Sequence, residues 1–252
     1  MWSISGHQQR LYLRYRGQFY GGFCNKDMIA KIAEALSKRC RAKRAVLFCQ
    51  HLHPTWQSKI LDIGSENGSF IASVVPFREN VVIADIDEEM LSRGREKYGF
   101  KTILLDESGV LPFEDNCFDI VHCNSVIEHV TVDKVLCSSL KSSKEFKKAA
   151  YKRQQRFASE IRRVGKSYFV QTPNRNFVIE SHCWLPLVQF LPRTMLIKTI
   201  RWLNRWWVKT TAPDWNLLTV KQMKKLFPDS VIVKERILGL TKSLIAISGK
   251  RP

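Results

Sequence analysis

Three acids stand at or just beyond the ends of apolar runs: Asp62 after Ile60-Leu61, Asp85 after Val81-Val82-Ile83-Ala84, and Asp106 after Thr102-Ile103-Leu104-Leu105. Open parallel sheets hold their ligands in the crevice beyond the carboxyl ends of the strands, so carboxylates at three strand ends converge on one edge. The first run continues into Gly64-Ser65-Glu66-Asn67-Gly68, where Gly64 and Gly68 let the backbone turn tightly and approach a ligand closely. Asp85 lies 21 residues after Gly64, about one strand-helix-strand step, which places its two oxygens to accept both hydroxyls of a ribose. A dinucleotide's phosphates call for a full Gly-x-Gly-x-x-Gly turn at a helix N-terminus, and that pattern is absent.

Further along, His129 follows Ile127-Glu128 beyond a fourth apolar run. A neutral imidazole there is able to take a proton from a hydroxyl nucleophile, because its ordinary pKa lies near working pH; the plain reading is a histidine on a helix surface. Asp87 and Asp133 read equally well as helix caps. His51-x-His53 has no cysteine or acid cluster beside it, so no metal site is expected.

Three stretches then occur in order: Asp62 to Gly68, Ala84-Asp85-Ile86-Asp87-Glu88-Glu89-Met90-Leu91, and Leu111-Pro112-Phe113-Glu114-Asp115-Asn116-Cys117-Phe118-Asp119-Ile120-Val121. Together they resemble the successive motifs of class I S-adenosylmethionine-dependent methyltransferases of the type 11 group, strongly over residues 58–175 and more loosely over 231–248. The resemblance implies an α/β, Rossmann-like seven-stranded methyltransferase sheet, mostly parallel with the last strand antiparallel, and helices on both faces. It also implies S-adenosyl-L-methionine as cofactor. Asp62, Gly64, Ser65 and Gly68 would lie against its methionine and ribose, Asp85 with Ile86 would hold the ribose, Asp106 and Glu107 would face the adenine, and Asn124 and Ser125 would line the methionine end. Glu66 departs from the family, which usually carries a middle glycine there.

The elements that must position these residues are also legible. At 252 residues and 44% hydrophobic, the chain is long enough for one sizeable domain. We expect a single domain over 1–252: an N-terminal helical cover (1–57), a cofactor-binding core (58–175), an apolar and basic helical insert (176–218) and a closing helix with a β-hairpin (219–252). In residues 25–48, Ile29, Ile32, Ala33, Leu36 and Cys40 share one helical face. Thr219 is placed to cap a helix that Pro228 stops, and Val231–Ile237 is placed to pair with Ser243–Ser248 across Gly239.

Charge and aromatic residues bear on the partner. The formal charge of +18 is concentrated in Thr131–Arg163, where ten Lys or Arg face three acids. Such an excess suits an anionic partner or a solvated helix face. Phe146, Tyr151 and Phe157 are interleaved with those bases, as a base-stacking RNA surface would need. Downstream, Cys183–Pro192 is apolar and broken by Pro186 and Pro192. In Thr194–Lys209, Leu196, Ile197, Ile200, Leu203 and Trp207 follow helical spacing beside Lys198, Arg201, Arg205 and Lys209. That pattern suits an interfacial helix on anionic lipid, or equally a helix packed on a core.

The resulting expectation is a methyltransferase for a small or lipid-linked, largely apolar acceptor, at a membrane surface reached through 184–209. An RNA (tRNA) methyltransferase is the first alternative, and a non-catalytic basic interaction module with a decayed cofactor site the second. Seven cysteines without a Cys-x-x-Cys pair read as reduced thiols, and Met1–Arg16 lacks the apolar run of a signal peptide. These features point to a cytoplasmic protein, with peripheral membrane attachment as the extension.

Overall fold

The computed structural model describes residues 24–249 apart from 65 and 138. The expected seven-stranded sheet is present: β1 (Ile60–Ile63), β2 (Val81–Asp85), β3 (Lys101–Leu104), β4 (Phe118–Asn124), β5 (Gly165–Pro173), β6 (Val231–Ile237) and β7 (Leu240–Ser248). The spatial order is β3-β2-β1-β4-β5-β7-β6. Strands β1 to β5 pair in parallel, and β7 enters antiparallel between β5 and β6. The β6–β7 turn is made by Leu238 and Gly239, both with positive φ (48° and 80°), as a two-residue hairpin turn requires.

Helices α1 (Cys24–Leu52), α2 (Ser69–Val74), α3 (Glu88–Tyr98), α4 (Lys134–Cys137), α5 (Ser143–Val164), α6 (Arg193–Leu203) and α7 (Val220–Leu226) accompany the strands. Their limits follow from local chemistry. Asp87 caps α3 by accepting the Met90 N–H at 3.2 Å, Glu88 and Glu89 occupy its positive first turn, and Gly99 closes it at φ 74°. Ser142 caps α5 through the Glu145 N–H. Thr219 and Gln222 form a reciprocal capping box at α7, as the sequence suggests for Thr219. Asp133 pairs with Arg153 at 2.7 Å.

Alternate residues of β1 feed two cores. Leu61 and Ile63 join Val121, Val170, Ile161, Val164 and Phe227 on the α5 and α7 side; Ile60 joins Ile83, Ile120, Phe169, Phe48 and Leu91 on the α1 and α3 side. Each such fully buried side chain stabilises the fold by about 1.5–3 kcal/mol relative to exposure. Asp62 faces the second of these cores, so the fold carries a carboxylate into an apolar layer.

The chain gathers into two compact units: residues up to Arg39 with Val178–Pro213, and Cys40–Phe177 with Asp214–Pro252. The second contains the whole sheet. The first contains most of the stretch expected as a helical insert over 176–218. There the apolar residues Leu196, Ile197, Ile200 and Leu203 are buried, and α6 stops at Leu203 rather than running to Lys209. Trp207 lies beyond it and donates its indole N–H to the Cys183 carbonyl at 2.7 Å. In α1, Cys40 is buried but Leu36, expected on the same apolar face, is 40% exposed. Residues 1–23, including the basic aromatic start, fall outside the described residues.

Candidate functional site

Strand order reverses between β1 and β4, whose carboxyl ends are neighbours; this is where an open parallel sheet forms a ligand crevice. Gly64, just past β1, has φ 65°, and a Cβ there would lie 2.2 Å from Val126 Cγ2 in the loop after β4. Glycine is thus required by backbone conformation and by the approach of the β4 loop. Gly68 (φ 71°) is held as closely, with Phe100 Cε2 2.7 Å from where a Cβ would be. Glu66 sits between them at φ 57°, keeping the left-handed conformation of a glycine.

Asp85 closes β2. Its Oδ2 accepts the Glu66 N–H at 3.0 Å, and its Oδ1 accepts those of Ile86 and Asp87 at 2.7 and 3.2 Å. Burial pushes its carboxyl pKa up, more than these three donors draw it down. Ile86 and Leu104, the latter in register with Asp85 on β3, leave exposed apolar side chains at the same edge (43% and 55%). Asp106 is exposed and accepts the N–H and hydroxyl of Ser108, bonds that lower its pKa; Glu107 is exposed beside it. Ser65 lies outside the described residues.

Asp62 is directed into the apolar layer rather than to the turn. Its Oδ1 lies 2.6 Å from His122 Nδ1 on the adjacent residue of β4, both side chains being buried. The imidazole stacks on Phe70 (centroids 5.1 Å apart) and Phe169 (5.6 Å). Among the described residues Asp62 Oδ2 is buried with no hydrogen-bond partner. Sequence reasoning did not reach His122, although a histidine inside an apolar strand opposite a buried acid is a signal once the register is known.

Asn124 and Ser125 end β4, and Ser125 also has positive φ (59°). Asn124 is tied to Arg44 of α1 and Ser125 to Gln171 of β5, residues that the linear sequence did not single out. His129 lies in the short 3-10 turn Ile127–His129, exposed, with Nδ1 3.2 Å from Asp214 Oδ1. Its neighbour Glu128 is fully buried and accepts the Thr172 hydroxyl at 3.0 Å. Gln154 fixes this turn from α5, donating to the carbonyls of Ile127 and Asn216 at 2.9 Å each. The structure thus brings Gly64, Asp85, Asn124 and Ser125 to neighbouring strand ends, with Asp106 and Glu107 at the outer edge.

Residues 61–168 match the family described as a methyltransferase domain. Over residues 61–168 the chain carries a methyltransferase domain. S-adenosylmethionine is the cofactor of this methyltransferase, and the site's residues suit it: a positive-φ glycine turn, a strand-end acid, and exposed apolar side chains beside that acid. Solved structures share the methyltransferase's fold. An S-adenosylmethionine-dependent methyltransferase from Clostridium acetobutylicum is 9% identical, with 88% of this chain and 97% of that chain covered at a TM-score of 0.51. One from Archaeoglobus fulgidus is 13% identical, covering 96% and 100% at 0.50. At such identities the likeness is one of fold. The sequence matches no curated protein.

The structure alters one expectation about nucleic acid. Phe146 and Phe157, interleaved with the bases of α5, are each only 3% exposed and belong to the core, and Tyr151 is partly buried. Those rings hold α5 in place and are not available to stack bases.

Proposed function

We propose that the enzyme methylates a small or lipid-linked, largely apolar acceptor at an anionic membrane surface. The observation that carries this reading is a set of exposed aromatic, apolar and basic side chains within Val178–Pro213. Leu187, Phe190, Met195 and Trp202 are each more than half exposed and Trp206 is 43% exposed, with the exposed bases Lys198, Arg201 and Arg205 among them. Trp202 and Trp206 meet edge to face at 4.7 Å. Tryptophan favours the headgroup zone while lysine and arginine draw anionic lipid, so this set has the composition of a peripheral contact. The buried stripe Leu196, Ile197, Ile200 and Leu203 takes no part in it. No described helix is long and apolar enough to cross a membrane.

In this reading Asp85 accepts the ribose hydroxyls, Ile86 and Leu104 lie against the adenine with Asp106 and Glu107 beside it, and Asn124 and Ser125 hold the methionine end. Gly64 and Gly68 complete the cradle. When bound, S-adenosylmethionine supplies a methyl group on a sulfonium, and the electron pair of the broken C–S bond stays on sulfur. The chain's task is mainly to hold the acceptor in line with that methyl. For a hydroxyl acceptor His129 takes the proton, and Asp214 orients the imidazole through Nδ1.

Co-sedimentation with vesicles tests the surface. The protein should pellet with vesicles containing phosphatidylglycerol and not with pure phosphatidylcholine, and Trp202→Ser with Trp206→Ser should weaken pelleting by about tenfold. Absence from anionic vesicles at physiological salt would end the membrane reading. Salt-sensitive retention of tRNA that survives the tryptophan changes would favour RNA, whose phosphates the exposed Lys144, Lys147, Lys148, Lys152 and Arg156 on α5 are placed to follow.

A further inference from the structure

Cys40, Arg44 and Phe48 form one row of α1, four residues apart, and all three are buried; Arg44 is only 7% exposed. Its Nε and Nη2 grip the two oxygens of Glu235 on β6 at 3.0 and 2.7 Å, and Nη2 also reaches Ser243 Oγ on β7 at 3.4 Å. Its Nη1 donates to Asn124 Oδ1 at 3.0 Å and to Gln171 Oε1 at 3.3 Å. The five N–H groups of a guanidinium are thereby matched by five acceptors, so Arg44 keeps no donor for a ligand. Whatever it contributes to the site, it contributes through its neighbours.

A guanidinium donates and never accepts. Next to Arg44, Asn124 must therefore turn its carbonyl oxygen inward, and its two amide hydrogens are what it offers elsewhere. Gln171 is fixed in the same sense. Its Oε1 also accepts the Ser125 hydroxyl proton at 2.8 Å, which leaves Ser125 only lone pairs to present. The Ser125 backbone N–H, bound to the Gln171 carbonyl at 3.0 Å, holds this arrangement in register.

We infer that Arg44 sets the hydrogen-bond polarity of the β4 edge, making Asn124 a donor and Ser125 an acceptor, a pair matched to the carboxylate and ammonium of an amino acid. The inference rests on reading Asn124 and Ser125 as the methionine end of the cofactor site. It makes Arg44 a positioning residue with Glu235 as its counter-charge. A strut that merely tied α1 to the sheet would affect every ligand of the site alike. A polarity-setting arginine affects only ligands that carry the amino-acid group.

The test uses S-adenosylhomocysteine and 5′-methylthioadenosine, which share the adenosine and the thioether but differ in the amino-acid portion. Arg44→Met combined with Glu235→Met removes both buried charges, leaving neither one alone in the core. By calorimetry this variant should bind S-adenosylhomocysteine at least about tenfold more weakly, as expected for lost charge-assisted bonding, while 5′-methylthioadenosine binds within about twofold of the parent protein. Asn124→Asp keeps an acceptor against Arg44 but removes the outward donor, and should show the same selective loss without relying on a core replacement. Unchanged S-adenosylhomocysteine affinity in either folded variant overturns the inference, as does equal weakening of both ligands. If the parent protein binds neither nucleoside, the cofactor assignment itself fails and the inference with it.

Discussion

The carboxylate of Asp85 accepts the backbone N–H of Glu66 at 3.0 Å, so the acid that ends β2 also fastens the turn that follows β1. One side chain thus joins two neighbouring strand ends.

Burial holds the Asp85 carboxyl above its ordinary value of 3.8, and a ribose needs it ionised. Affinity for S-adenosylhomocysteine should therefore decline as pH falls through a midpoint above 3.8. Asp85→Asn should bind weakly at every pH. Folding responds in the opposite sense. The native state keeps this proton longer than the unfolded chain does, so Asp85's contribution to stability diminishes as pH rises from 3.8 through the native value, and stays at that lower level above it. Calorimetric titrations at several pH values check the first effect; affinity that stays level into the acid range would remove Asp85 from the ribose.

Gly64→Ala would push a methyl to 2.2 Å from Val126 Cγ2 at a φ of 65°. Overpacking and the left-handed backbone together should cost about 3 kcal/mol in urea unfolding. Adding Val126→Ala should recover roughly half of what Gly64→Ala costs, giving a clear coupling in the double-mutant cycle. Strict additivity of the two changes would show that they do not meet.

Glu66 occupies φ 57° with a full side chain. Glu66→Gly should relieve about 1 kcal/mol of backbone strain, partly offset by the greater freedom of glycine in the unfolded chain. The bond from residue 66 to Asp85 uses the backbone and survives the change. A higher thermal midpoint with cofactor binding retained is the expected outcome, and a lower midpoint would mean that the Glu66 side chain stabilises the turn.

His122→Phe would leave Asp62 buried in an aromatic layer without its partner. The expected loss is about 2 kcal/mol in denaturant unfolding, the cost of leaving a buried carboxyl without its hydrogen-bond partner. Replacing Asp62 with Leu in that background should restore much of the stability.

Most of the fold was legible in the chain because parallel strands buried on both faces read as short apolar runs. Asp85, the Asp87 and Thr219 caps and the hairpin about Gly239 all follow from patterns spanning a few residues. What escaped was tertiary. Arg44 meets Glu235 across 191 positions, and its local signal was only a charge standing on the buried row between Cys40 and Phe48. The α5 aromatics look like a stacking surface when counted along the sequence, yet helical spacing turns Phe146 and Phe157 inward with Ala150, Ala158 and Ile161. Likewise α6 ends at Leu203, because Asn204 closes on Thr211 through two side-chain to backbone bonds that no local rule foretells.

The long span between Arg44 and Glu235 has a consequence for biogenesis. As the chain emerges from the ribosome, the first five strands and α1 are complete long before β6 is made. Throughout that interval the guanidinium has no carboxylate to receive it, and an unaccompanied cation in the core is strongly disfavoured. The expected consequence is that the leading helix settles onto the sheet only after the hairpin arrives, so that chains truncated before β6 leave residues 40–52 open to proteolysis.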